Sequence, residues 1–500
     1  MKEADFKILL ISLFNGEAIG TRQLFSAMKV RGYDTKLLFF KVEFEKEYEK
    51  RQHDSFTDNK KMVTEQEISL LVEYVAELKP DIISFSLVSP YFQLYKQLYS
   101  QIRDVGCFKI VVGGWQASLN PEDSIPYCDI LCVGEGDDAF PELVDCIYNN
   151  QPVGNIPNLW VNWNDRINRN DVRPLNTNLD LLPNIVFDPV STFYIENNHL
   201  VNRDPYSENS RYGIMAGRGC PYHCTYCSNS YMAKKVYPRQ WSKIRHRSVD
   251  HVMNELIEVK GNFPNIKKIN FYDEVFIPDK AWAEEFFSRF KNEICLPFYC
   301  EFYPGTCKEE LLKILKKGGL VGVWLGVQSG SERVRKEVFK RDYSNSQIIQ
   351  QANMFKKYNI SVRHDFIFDN PFESFQESLD SIDLMLELPE PFSLNLFSLK
   401  YFPNTDITKM ALDANIINIQ MIDDHVIWDR RHNYCISQKN DDSPGNFINN
   451  LVMYVSLLAN MGELQINKLD ILRLIDDYKL TQNSQPVKEL LSPFLENPKT

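Results

Sequence analysis

Twice along this chain short apolar runs alternate with helical patterns, and that alternation leaves a parallel sheet flanked by helices as the fold to expect. In residues 1–150 strand-like runs fall at 6–13, 35–40, 82–88, 109–112 and 130–133. The clearest helix between them is predicted over 65–79, with Ile68, Leu71, Val72, Val75 and Leu78 on one face. Thr64 and Glu67 form a capping box at its start and Pro80 stops it. Five short parallel strands with crossover helices predict a doubly wound, Rossmann-like domain. Residues 151–210 lose the rhythm, are rich in Asn, Asp and Pro, and read as an irregular linker. The alternation restarts with a strand at 213–216, then a helix capped by Ser248 with Val249, Val252, Met253, Leu256 and Ile257 on one face. Further strands are expected at 268–272, 297–301, 322–327, 361–368 and 394–399. Six repeats are too few to close an eight-stranded barrel, so a partial barrel over 211–405 is predicted, followed by a helical region over 406–500.

At 500 residues, two or three domains are expected. The longest apolar stretches, such as 8–14, are too short to span a bilayer, and Glu3, Ala4 and Asp5 do not resemble a signal peptide. A net charge of −11 argues against a general nucleic-acid footprint, so no nucleic-acid partner is expected. The eleven cysteines are odd in number and scattered, which fits reduced thiols plus a metal site better than a disulfide framework. A cytoplasmic location follows as the expectation. Cys300, Cys307 and Cys435 show no cluster spacing and read as small buried hydrophobes.

The chemistry concentrates in Gly217-Arg218-Gly219-Cys220-Pro221-Tyr222-His223-Cys224-Thr225-Tyr226-Cys227. Three thiolates on Cys220, Cys224 and Cys227 can hold three irons of a cubane and leave the fourth open to a small chelating molecule. Zinc would need a fourth ligand; His223 is too close in sequence, and no second Cys-x-x-Cys pair lies nearby. The basic run from Lys234 to Arg247 could draw an anionic substrate, although such runs are more often solvated faces.

With Tyr226 before the last cysteine and six βα units behind it, this Cys-x3-Cys-x2-Cys loop resembles the radical S-adenosylmethionine (SAM) superfamily over about residues 211–400. The resemblance implies a [4Fe–4S] cluster whose open iron binds SAM, and reductive cleavage of SAM to a hydrogen-abstracting radical. Phe271-Tyr272-Asp273-Glu274 stands where the family holds the amino end of SAM, and a carboxylate there suits an ammonium. Capping of the next helix is the plainer role for Asp273 and Glu274. Leu325-Gly326-Val327-Gln328-Ser329-Gly330-Ser331-Glu332 resembles the fourth-strand motif, with Gln328 where Glu is usual. Tyr226, Asp273, Glu274, Gln328 and Ser329 are thus the implied SAM-binding residues. Phe368-Asp369-Asn370-Pro371 and Tyr401-Phe402-Pro403-Asn404-Thr405 depart from the family's usual loops.

In a doubly wound domain the ligand lies at the carboxyl ends of the strands. Those ends carry Ser86 and Ser89, Gly113 and Gly114, and Gly134, Glu135 and Gly136; glycines there allow a large flat ligand to approach the backbone. The set resembles the cobalamin-binding domain fused to many radical SAM enzymes and implies cobalamin as a further cofactor. The loop after the first strand reads Phe14-Asn15-Gly16-Glu17-Ala18-Ile19-Gly20, without the cobalt-ligating histidine of the mutases; the first histidine is His53. The implied activity is cobalamin-dependent methylation of an unactivated carbon in a small-molecule substrate, with a reductant such as flavodoxin or ferredoxin. A cyclase or rearrangement enzyme of the same architecture is the alternative. An RNA methylthiotransferase fits less well, because Cys107, Cys128, Cys132 and Cys146 lack its spacing.

Overall fold

The computed structural model describes residues 6–42, 63–163, 166–276, 279–426 and 441–496; His53 and Cys435 lie outside them. The amino-terminal alternation forms β1 (Lys7–Leu13), β2 (Asp34–Phe40), β3 (Ile82–Ser86), β4 (Lys109–Gly113) and β5 (Ile130–Cys132). They pair in parallel in the order 2-1-3-4-5. Ile8 to Ile11 of β1 are fully buried because helices cover both faces of the sheet, which is why the strand reads as a continuous apolar run. The helix Glu65–Leu78 has the predicted Thr64–Glu67 capping box.

Residues 151–210 are not an irregular linker. They supply β6 (Leu159–Trp163), β7 (Arg166–Arg169), β8 (Thr192–Glu196) and β9 (His199–Val201), which extend the sheet to nine strands. β6 pairs antiparallel with β5, β7 with β6 and β9 with β8, while β8 adds parallel to β2. The edge strands β7 and β9 are only partly covered, so they carry Asn, Arg and His and show no apolar alternation, while β6 and β8 lie inside them and bury Leu159, Val161, Tyr194 and Ile195. Asn197 and Asn198, both at positive φ, form the turn between β8 and β9.

The second half begins with β10 (Arg211–Ile214); β11 (Gly217–Arg218) and β12 (Arg245–His246) then pair as a short antiparallel ribbon around the cysteine loop. β13 (Lys268–Phe271), β14 (Phe298–Phe302), β15 (Leu320–Gln328), β16 (Ser361–Phe368) and β17 (Ser393–Ser398) complete a six-stranded parallel sheet in the order 10-13-14-15-16-17. The helices cover one face, against Phe271, Phe298, Cys300, Val323 and Leu325, so Tyr299, Glu301, Trp324, Gly326, Arg363 and Asp365 alternate onto the other. On the helix Val249–Asn262, Val249, Val252, Met253 and Leu256 are buried as expected; Ile257 is 45% exposed and Val259 is buried in its stead. The helix Pro444–Met461 packs on β17 and on the helix Phe375–Glu387, within the same apolar core as the sheet.

Candidate functional site

The cysteine loop leaves β10 and folds back under β12. Gly219 sits at φ +106°, and a Cβ there would come within 2.8 Å of the carbonyl oxygens of Trp241 and Lys243, so the turn requires glycine. Cys220 and Cys224 are buried and Cys227 is half-buried. Burial and the neighbouring thiols push Cys220 up to about 12 and Cys227 up to about 11. Among the described residues no three His, Cys, Asp or Glu side chains converge on the position of a single metal ion. The three thiols are close enough to influence one another electrostatically without meeting at a point. That arrangement fits ligands to separate corners of a cubane. Thr225 anchors the loop by donating to Val338 O at 2.7 Å. Arg341 Nη1 lies 3.4 Å from Cys224 Sγ, and Asn229 Nδ2 lies 3.8 Å from Cys227 Sγ.

Asp273 and Glu274 do different things. Asp273 is buried and accepts from Ala216 N at 3.1 Å, so it pins the chain as it leaves β10 for the cysteine loop. Burial raises its carboxyl to about 7 against the pull of the backbone N–H groups of Ala216 and Gly217. Glu274 has one buried oxygen with no hydrogen-bond partner and is likewise raised to about 7 by burial. An unpartnered buried carboxylate oxygen beside the cysteine loop fits a cationic ammonium.

Gln328 ends β15 at φ +73°, beside a register shift against β16. A side chain at Gly326 would meet its amide nitrogen at 2.6 Å. A non-glycine residue held in this region stores about 1–3 kcal/mol, which surrounding structure must over-determine. Ser329 is fully buried and spends its hydroxyl within the turn, donating to Glu373 at 3.0 Å and accepting from Ser331 N. Tyr226 packs edge-on against Phe339 and accepts from Arg341 at 3.0 Å.

At the carboxyl ends of the first sheet, Ser89 Oγ and Gln116 Oε1 are buried without partners. Both suit a polar ligand, and Gln116 was not singled out from the sequence. The glycines serve the protein more than a ligand. At Gly114 (φ +89°) a Cβ would come 2.7 Å from Leu87 O, and at Gly134 (φ +84°) it would come 2.2 Å from the Tyr237 hydroxyl oxygen. Gly113 is roomier, and Gly136 lies against Cys132 Sγ. Ser86 lies beside Gly114. In the loop after β1, Asn15 Oδ1 accepts from the backbone N–H groups of Glu17 and Ala18, while Glu17 pairs with Arg211 of β10.

The two sheets are tied together at this point. Glu135 pairs with Arg245 at 2.5 Å, and Asp137 with Arg218 at 2.7 Å, two residues before Cys220. Tyr237 Oη accepts from Glu135 N at 2.8 Å, and Trp115 packs edge-on against Trp241. Half of the basic run is spoken for within the protein: Lys234 pairs with Asp406, Arg245 with Glu135, and Arg247 with Glu255.

Residues 214–385 match the Radical SAM superfamily and residues 14–144 the B12 binding domain. The chain belongs to the radical SAM enzymes that carry a B12-binding domain. This radical SAM chain is 27% identical over 314 residues to an uncharacterized methyltransferase of Pyrococcus horikoshii, covering 62% of the chain and 64% of the relative. It is 23% identical over 321 residues to the bacteriochlorophyllide d C-8(2)-methyltransferase of Chlorobaculum tepidum, again covering 62% and 64%. The match thus spans just under two thirds of these curated relatives. Among solved structures it is similar to OxsB, a cobalamin-dependent SAM radical enzyme (TM-score 0.65, 16% identity, 99% of this chain and 76% of that one). It is also similar to the radical SAM methyltransferase TsrM from Kitasatospora setae (TM-score 0.63, 16% identity, 82% and 75%). These structural likenesses establish the fold. The radical SAM and B12-binding domains together imply a [4Fe–4S] cluster, SAM and cobalamin.

Sequence reasoning missed several residues of this radical SAM site. Glu301 was legible as the one charged residue of β14 on the face away from the helices; it lies within electrostatic reach of Asp365, Arg363 and Glu274, and burial raises it to about 7. Tyr237 and Arg341 carried no local signal, because their partners lie far away in sequence.

Proposed function

We propose that this chain is a cobalamin-dependent radical SAM methyltransferase that adds a methyl group to an unactivated carbon of a small molecule. The observation that carries the reading is the charged clamp between the sheets. It ties the loop after β5 of the B12-binding domain to the residues flanking the cysteine loop, which supports a reading in which the two domains act together. When bound, the cluster, SAM and cobalamin supply reductive C–S cleavage, hydrogen abstraction and methyl delivery, chemistry beyond any side chain.

The protein's own residues bind and orient. Cys220, Cys224 and Cys227 are the proposed cluster ligands, and Glu274, with its unpartnered oxygen, is the proposed seat for the ammonium of SAM. Gln328 and Tyr226 are proposed to line the remainder of that site, with Asp273 and Ser329 fixing the backbone around it. Ser86, Ser89, Gly113, Gly114 and Gly136 are proposed to border cobalamin. Gly134 and Glu135 are proposed to act there through the domain clamp. Tyr272 and Tyr299 each stack on Trp324, with ring centroids 5.9 and 6.0 Å apart, on the face of the second sheet away from the helices. Reducing equivalents are proposed to come from a flavodoxin- or ferredoxin-type donor in the cytoplasm. Among the described residues no helix is long and apolar enough to cross a membrane.

The test is anaerobic reconstitution with iron, sulfide and cobalamin, then turnover with SAM and candidate small molecules. About four irons and one cobalt per chain, with S-adenosylhomocysteine and 5′-deoxyadenosine formed together and product heavier by one CH2, support the reading. Product of unchanged mass with 5′-deoxyadenosine alone would make it a rearrangement enzyme. Zinc in place of iron would overturn the radical reading.

A further inference from the structure

We infer that Arg341 is the buried counter-charge and hydrogen-bond donor that sets the reduction potential of the iron–sulfur cluster, acting through Cys224. The inference rests on the cluster reading of the cysteine loop and goes beyond the proposed ligands. Arg341 is only 7% exposed. Its Nε donates to Tyr343 Oη at 2.8 Å, and its Nη2 to Gly326 O at 2.7 Å. Its Nη1 serves Tyr226 Oη at 3.0 Å and Cys224 Sγ at 3.4 Å. The guanidinium lies 4.2 Å from the centre of the Tyr303 ring. Apart from the thiol, these partners are two phenols, a carbonyl and an aromatic face, all neutral.

That makes Arg341 unlike the other buried arginines. Arg22, Arg245 and Arg335 each have a carboxylate within 4 Å, at Asp204, Glu135 and Glu332 respectively. No carboxylate among the described residues makes an ion pair with Arg341. A guanidinium does not give up its proton, so a buried one requires an anion nearby. The contacting group that becomes anionic is Cys224, since iron binds cysteine as thiolate. A cation donating N–H to that sulfur stabilises the more negative, reduced cluster over the oxidised one. Asn229 is the weaker counterpart at Cys227. Trp241 Nε1 donates to its Oδ1 at 2.9 Å, which turns the amide NH2 toward the sulfur, but it brings no charge.

The experiment is a spectroelectrochemical titration of the reconstituted full chain, wild type against R341K and R341M, with iron content and far-UV circular dichroism checked for each. R341M is expected to shift the reduction equilibrium at least tenfold toward the oxidised cluster, about 59 mV for one electron. R341K, which keeps the charge but not the planar fork, is expected to shift less. Wild-type potentials in both variants at full iron loading would overturn the inference. A second measurement needs no variant: wild-type chain carrying guanidino-15N arginine, reduced and examined by pulsed EPR. A 15N coupling to the cluster is expected, and its absence would likewise overturn the assignment. Neither readout uses cobalamin, substrate or methylated product, so failure of the methyl-transfer reading leaves this one standing.

Discussion

Breaking the Asp137–Arg218 pair should loosen the two halves of the molecule from each other. The side chains are 14% and 18% exposed, and the guanidinium grips both carboxylate oxygens, at 2.7 and 3.2 Å. Burial alone would raise the Asp137 carboxyl, yet the charge and hydrogen bonds of Arg218 hold it below the usual carboxylate range. Removing Arg218 strands the Asp137 charge in a poorly solvated crevice, which costs about 3–5 kcal/mol, whereas Arg218 without Asp137 still has Glu135 at 3.8 Å. A double-mutant cycle of Asp137→Ala and Arg218→Ala, read by urea unfolding of the apoprotein, should therefore show a coupling of about 2–4 kcal/mol. The Arg169–Glu122 pair, 45% and 62% exposed, has comparable distances and provides the control; its cycle should show no measurable coupling. If the Asp137–Arg218 coupling stays within the roughly 0.5 kcal/mol scatter of independent sites, the clamp does not hold the domains together.

Three further outcomes follow from the same geometry. Cys224→Ala should lose iron and 5′-deoxyadenosine formation while keeping native far-UV circular dichroism, and retention of about four irons would remove Cys224 from the ligand set. Gly134→Ala drives a Cβ to 2.2 Å from the Tyr237 hydroxyl oxygen at φ +84° and should cost about 1–3 kcal/mol or more. Thermal melting checks that loss. Glu301 has a folded pKa near 7, above its ordinary 4.5, so the native state keeps a proton that the unfolded chain has released. The Glu301 contribution to stability falls as pH rises from about 4.5 through 7, by up to about 3 kcal/mol, and Glu301→Gln should make the slope shallower by that share, leaving the part due to Asp273 and Glu274. Parallel melting-temperature profiles for wild type and variant between pH 5 and 8 would show the reasoning to be wrong.

Much of the fold was legible because it rests on local periodicity. Buried parallel strands such as β1 must be apolar along their length, and the Thr64 capping box and Pro80 mark helix ends within a few residues. The cysteine loop is equally local, since three cluster ligands on one turn have to be close in sequence. The edge strands of residues 151–210 escaped notice because a strand covered on one side tolerates Asn, Arg and His. The Asn197-Asn198 turn was one local signal of them.

What the tertiary structure decided is the division of labour among residues that look alike in sequence. Asp273 and Glu274 are adjacent carboxylates, but only Asp273 meets the N–H of Ala216, which leaves Glu274 with a free oxygen. Gly134 suggested room for a ligand, and its space is filled by Tyr237 from the other half of the chain. Arg341 lay in an unremarked segment until folding set it 3.4 Å from Cys224. Periodicity and spacing encode which elements form and which ligands share a turn. The burial that leaves a charge paired or unpaired arises only when segments far apart in sequence pack together.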